Sequence, residues 1–453
     1  MTDEPNGAGK RRRRLRLWHV PVALLVLFAV AVLIMRSYWR WELNERIAAI
    51  RAAGDPVTLE ELQASYEWPQ SGDNAANWVL GAEGFLRTLT REEDKLLVPV
   101  IGGRGELHVS EPLDAEILKL LESHVAGNKE ALEMLHEAAS IDGCRYPVDL
   151  TEGVMTRTNH ISIVRDAIRT LCFEAALEAE RGHGESAVRS LRAALRVAHS
   201  LAAEPMSLSQ LVRRGCLRWV VSTLERTINR VEFTGEQLDA LSSAVASAYD
   251  PDSLRRGWVG NRCMGIAMFA DPPAIDRKAF NDLPPVFVLE AYDTLGLADR
   301  EAIHYLDAMQ RAIDVASLAP EERPAAIQAV DDEMRQLQRV PGVLMRRIWV
   351  HPSRFITLDL RTLADVRVTR VALAVERCRL VAGEAPDELE PLLPVYLETT
   401  PIDPFDGEPL RYERLERGYV VYSVGEDRVD DGGRPRDAQQ RDQTWDIAFR
   451  VAR

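Results

Sequence analysis

The stretch Thr158–Pro205, TNHISIVRDAIRTLCFEAALEAERGHGESAVRSLRAALRVAHSLAAEP, decides the fold class. Ile161, Val164, Ile168, Leu171 and Ala175 recur at the spacing of one helix face, and Ala187, Leu191 and Ala194 repeat the pattern after Gly182 and Gly184. Two glycines so close together leave only a short loop, so the two helices must lie antiparallel. Gly182, Ala187, Leu191 and Ala194 also match the second half of a tetratricopeptide repeat. The first-half positions do not match, and no copy follows at the ~34-residue period of that repeat. The expectation is a TPR-like hairpin and not an array.

Helical periodicity extends from Pro112 to Ile228 and resumes over TGEQLDALSSAVASAY, SLRRGWVGNRCMGIAMFA, REAIHYLDAMQRAIDVASL and APEERPAAIQAVDDEMRQLQRV. A long helix from Ile356 to Val381 should stop at Gly383. Thr58 and Glu61 form a capping box, and another helix should start near Ser71–Asp73 and run through Leu89. Residues 95–111 are β-branched and Gly-rich and suggest a hairpin turning at Gly102–Gly105. Their GGRG lacks the ending and spacing of a phosphate loop. Asp271–Pro285, with its prolines, is the main internal loop.

The chain has 453 residues, 46% hydrophobic and 28% charged, with aromatics at only 6%, which suits a folded and largely helical protein of two or three units. Its net charge of −14 excludes a general nucleic-acid binder. That charge is uneven: residues 1–16 carry six Lys/Arg against two acids, while from Ser37 onward 49 basic residues face 68 acidic ones. Between them lies LWHVPVALLVLFAVAVLIM, Leu17–Met35, about the ~20 apolar residues needed to cross a bilayer. Arg36, Tyr38, Trp39, Arg40 and Trp41 follow as an interfacial belt, where a cleaved signal would offer small residues. The basic tip should stay in the cytoplasm, which makes the expected location an inner membrane with a single pass and an extracytoplasmic bulk.

Cys144, Cys172, Cys216, Cys263 and Cys378 form no CxxC pair, and free thiols are expected, with Cys144–Cys172 the bridge an oxidising compartment would permit. No HExxH or HxH occurs. His124, His136 and the Asn159–His160 pair are expected on the surface or at caps, and no serine has a nucleophile-elbow context. Glu133 and Glu137 share a helix face, the most that an unrecognised hydrolase site would have to work with. Trp219, Trp258 and Trp349 fit a core.

After Gly383 the style changes. Leu410–Leu415 and Tyr419–Val424, joined by Glu416–Gly418, should pair as a hairpin, and Trp445–Val451 alternates as a third strand. The order PDELEPLLPVYL, TPIDPFDGEPLRY, YSVGED, DDGG and DIAF resembles the C-terminal domain of type II secretion major pseudopilins. The resemblance covers about residues 355–450. It implies a helix on a small antiparallel sheet, with calcium held between the SxGxD and DI elements. Asp427 and Asp446 would then give carboxylates, Val424 and Val429 carbonyls, and Asp430 or Asp431 would complete the shell. The acids are also placed to be neutralised by Arg428, Arg434, Arg436 and Arg441 as a solvated mesh. An EF-hand template fails, since Val429 and Ala438 fall where acids are required. The prepilin-peptidase signature is missing around Leu15–Ala23. The whole layout resembles uncharacterised membrane-anchored proteins of planctomycete-type bacteria.

The expected architecture is therefore mainly α. A cytoplasmic tail (1–16) and a transmembrane helix (17–35) precede an antiparallel helical domain (42–352) and a pseudopilin-like α+β module (353–453). The expected role is a membrane-anchored scaffold with protein partners and a calcium site. A secretion component touching pseudopilins and an envelope hydrolase are the alternatives.

Overall fold

A computed structural model describes residues 19–70, 72–102, 110–278, 280, 282–337, 342–349, 351–434 and 445–453. The tail 1–16 and the first residues of the apolar stretch, Leu17 and Trp18, fall outside them. The helices are α1 (His19–Ala52), α2 (Leu59–Ser65), α3 (Ala75–Gly81), α4 (Arg91–Leu97), α5 (Ala115–Gly127), α6 (Lys129–Ser140), α7 (Asn159–Glu180) and α8 (Gly184–His199). They continue as α9 (Ser207–Arg230), α10 (Gly235–Ala248), α11 (Ser253–Ala270), α12 (Val286–Thr294), α13 (Leu297–Val315), α14 (Arg323–Leu337), α15 (Met345–Ile348) and α16 (Pro352–Ala382). One antiparallel sheet closes the chain, in the order β1 (Arg411–Arg414), β2 (Tyr419–Ser423), β3 (Ile447–Val451). The protein is mainly helical, with an apolar N-terminal helix and a small C-terminal sheet.

Local signals hold where they are strong. Thr58 and Glu61 cap α2 reciprocally, as do Thr90 with Glu93 and Thr234 with Gln237. α7 and α8 pack on each other across Gly182, whose φ of +80° needs no Cβ penalty. Gly383 ends α16 in the left-handed region. All five cysteines are free.

Three local expectations fail. Residues 95–101 are helical, not a strand: α4 runs into a 3-10 turn (Val98–Ile101), and residues 103–109 lie outside the described set. Val98, Val100 and Ile101 are all buried there, so tertiary packing overrides β propensity. The helix near Ser71 starts at Ala75 under an Asn74 cap and its 3-10 extension ends at Phe85. His124 and His160 are buried and not at the surface, although they do stand at helix ends, in the last turn of α5 and the first of α7.

Two hydrophobic cores organise the packing. The first gathers buried residues of α2 to α10, the C-terminal half of α16, and the sheet residues Tyr419, Val421, Phe449 and Val451. The second collects Leu43 and Ile50 of α1 with α11, α13, α14, the N-terminal half of α16, and Phe405 and Val424. α16 thus runs through both, presenting Ile356 and Leu360 to one and Val371 and Val375 to the other. That explains its weak amphipathicity: a helix covered on several sides has no polar face.

α1 does not end at the apolar stretch. It continues unbroken into the second core, where Arg40 Nε donates to Asp299 Oδ2 at 2.9 Å and Arg46 Nε to Asp307 Oδ1 at 2.7 Å. Arg255 and Arg262 then clamp Asp55, just past its end, at 2.7 and 3.1 Å. α1 and α13 advance together, so they run parallel.

Candidate functional site

The acidic turn after β2 is built by glycines and self-bonded aspartates. Gly425 has φ +71°, and a Cβ there would stand 2.7 Å from the Trp445 carbonyl. Asp427 Oδ1 accepts from Val429 N at 3.1 Å, closing a small turn at the exposed tip. Asp430 Oδ1 accepts from Tyr422 Oη at 3.1 Å and from Gly432 N at 2.9 Å. Gly433, at φ +61°, passes so close to β2 that a Cβ would meet Tyr422 Cδ1 at 2.7 Å. The chain then folds back on Asp446, whose Oδ2 accepts from Asp431 N at 3.1 Å and Gly433 N at 2.8 Å.

Asp446 carries the unusual chemistry. It is 9% exposed, and its Oδ1 has no hydrogen-bond partner among the described residues. Burial pushes its carboxyl up to about 6, against the pull of the Gly433 amide, and the charges of Asp430 and Asp431 push the same way. Asp430, Asp431 and Asp446 therefore come together electrostatically. Asp427 and Val429 sit apart at the tip, while buried Val424 gives its amide to Asp403 Oδ2 at 2.9 Å. Arg434 lines the same open groove as Asp430, Asp431 and Glu413. Glu426 pairs with Arg361 of α16. Asp437, Asp442, Arg436 and Arg441 lie outside the described residues.

The donor set suits a hard cation in part. A buried carboxylate oxygen without a partner, beside two more carboxylates, is what an oxygen-seeking ion requires. Among the described residues, however, no three His, Cys, Asp or Glu side chains already form a cage. Calcium would need Asp430 and Asp431 to swing towards Asp446.

Beneath the turn, Asp403 is fully buried and takes four donors: Phe405 N at 3.0 Å, Ser423 Oγ at 2.8 Å, Val424 N at 2.9 Å and Arg411 Nη1 at 3.0 Å. It fixes where β2 ends and the acidic turn begins. Sequence reasoning missed it, although it sits inside the TPIDPFDGEPL element.

A second cluster lies in the helical body beside a cavity of about 250 Å³ lined by Cys144, His199 and Ser200. Tyr146 Oη and Ser200 Oγ share a hydrogen bond of 2.7 Å, and the Tyr146 ring stacks on His160, 4.8 Å between centroids. His160 Nε2 lies 2.9 Å from the fully buried Glu204, which also accepts from Ser209 Oγ at 2.7 Å. Burial pushes the Cys144 thiol up to about 11, which favours its protonated form at neutral pH. Burial, with Arg213 nearby, lowers His199. This chain of bonds ties α7, α8 and α9 together. Glu133 and Glu137 remain exposed on α6, with Lys129 3.9 Å from Glu133.

The chain matches no family model, no curated protein and no solved structure.

Proposed function

We propose that this chain is a single-pass, inner-membrane-anchored scaffold whose extracytoplasmic helical body binds protein partners. The carrying observation is the continuity of α1, which passes from an apolar, uncovered stretch into the second core without a break. A body mounted on a rigid helix, not on a linker, is held at a set orientation to the bilayer, as a platform requires. The basic tip fits the cytoplasmic side. Trp68, Trp78 and Phe85 are 59%, 40% and 47% exposed on one segment, the kind of side chain that anchors protein interfaces.

A membrane-impermeant crosslinker applied to intact spheroplasts tests partner and orientation together. The native chain should capture proteins that the Trp78→Glu chain loses. A body that the reagent never reaches would reverse the orientation, and equal capture by both chains would remove the aromatic surface from the reading.

The same proposal gives calcium to the acidic turn, through Asp446 with Asp430 and Asp431. An unfolded Asp titrates near ~3.9. Because Asp446 titrates higher when folded, its contribution to stability is complete below that value and is lost as pH rises through about 6. Without calcium, the melting temperature of the native chain in detergent should fall across this window relative to Asp446→Asn. At neutral pH, calcium at about 100 times its dissociation constant should restore roughly 2.7 kcal/mol to the native chain and nothing to the variant. Identical neutral-pH melts of the native chain in calcium and in chelator would count decisively against the ion.

A further inference from the structure

The register of three helices locates the end of the body that faces the bilayer. Along α1, Arg36 reaches Asp293 and the Thr294 carbonyl, Arg40 reaches Asp299 and Arg46 reaches Asp307. α13 therefore starts level with Arg36, the first charged residue after the apolar stretch, and runs away from it. α11 runs the opposite way: Arg262 bonds Gln310 at 2.8 Å, while Phe269, further along, lies 5.6 Å from Tyr305. Its C-terminus thus returns the chain towards the Arg36 level, and α12 with the residues up to Gly296 lies at that end. Gly296 marks how tightly: a Cβ there would stand 3.1 Å from Arg36 Cα.

α12 carries large apolar side chains on two sides. Leu289 and Tyr292 face the second core, 1% and 4% exposed. On the other side Phe287 is 70% exposed, Val286 44% and Leu295, the residue that caps the helix, 36%, with Glu290, Ala291 and Thr294 exposed among them. Among the described residues they stand uncovered, and the C-terminal end of α12 lies at the level of Arg36 through Asp293 and Thr294.

We infer that α12 is a second membrane contact, an interfacial helix that lays Phe287, Val286 and Leu295 into the headgroup–acyl boundary of the bilayer that α1 enters. The inference rests on α1 being a membrane anchor. Interfacial helices of this kind bury their apolar face about 5–10 Å into that boundary. Two contacts, one spanning and one lying flat, would stop the body from rocking about α1. Asp293 is already paired with Arg36 at 3.8 Å, and the exposed Glu290 on the same side would have to stay with the headgroups and water while the apolar side chains enter.

The test uses the full chain with the two half-buried cysteines replaced (Cys144→Ala, Cys378→Ala), reconstituted in phosphatidylcholine–phosphatidylglycerol vesicles. An environment-sensitive fluorophore is attached in turn at Phe287→Cys, Leu295→Cys, Leu27→Cys in the apolar stretch, and Leu318→Cys past the far end of α13. Doxyl lipids then quench from shallow or deep positions. Labels at 287 and 295 should lose emission to shallow quenchers more than to deep ones, the label at 27 chiefly to deep ones, and the label at 318 to neither. If 27 is quenched while 287 and 295 behave like 318, the second contact is wrong and the anchor stands. If 27 is also unquenched, the anchor fails and takes the inference with it.

Discussion

A chain carrying Asp359→Ala is expected to lose about 3–5 kcal/mol of stability, the cost of stripping one partner from a buried ionic cluster. Asp359 lies in α16 with no solvent exposure. Its Oδ1 accepts from Arg214 Nε and Nη2 at 3.2 and 2.9 Å, and its Oδ2 from Arg323 Nη1 and Tyr249 Oη at 3.1 and 3.2 Å. Two guanidiniums would be left in the interior without a counter-charge. Arg213 beside them already lacks partners on Nε and Nη2, and burial, with the Arg214 charge, pushes it down to about 10. Asp359→Asn should cost less, because the amide oxygen can still accept from one arginine. Adding Arg214→Met to Asp359→Ala should recover part of the loss, since it removes one stranded charge. Urea unfolding of the full chain in mild detergent reads all three. Coincident midpoints for the native and Asp359→Ala chains would show that the cluster contributes little.

Where α1 is cut should matter as much. A chain starting at Arg36 is expected to fold, whereas one starting at Ala53 should lose its second core. The deleted turns carry Leu43 and Ile50, 7% and 8% exposed, and each buried side chain of this type contributes about 1.5–3 kcal/mol. They also carry Arg40, the partner of Asp299. Asp299 is 3% exposed, and burial already raises its pKa even with Arg40 in place. Cutting α1 away removes that guanidinium and opens Asp299, with the apolar surface of α13 around it, to water. Near-UV circular dichroism of the two truncated chains distinguishes the cases. The longer chain should keep the signal from Trp258, Tyr305 and Trp349, which pack in that core, and the shorter one should lose it. Equal spectra would mean that α1 leans on the body without supporting it.

The fold class was legible because its signals are local. A helix shows in the spacing of apolar residues three and four apart, a cap in Thr58 and Glu61, a stop in Gly383, and a hairpin in the alternation around Gly418. Each depends on residues within a turn or two of one another. The apolar run ending at Met35 was legible for the same reason. The failure at residues 95–101 marks the limit, since VPVI carries strand propensity and turns helical where it is buried.

The sites were mostly invisible for the opposite reason. Sequence alone picked out the carboxylates of the acidic turn, but not that Asp446 would be buried with one oxygen unpartnered among the described residues while Asp427 closed a turn at the tip. Nor did it mark Asp359, which meets Arg214 from 145 positions away, or Glu204, which meets His160 across 44. It ended the anchor at Met35, where the apolar residues stop, although the helix runs on into the core. An isolated Asp or Arg has the same identity on a surface as in an interior. What gives it a role is the loss of water around it and the partner that replaces that water, and both are set only when distant helices close on one another.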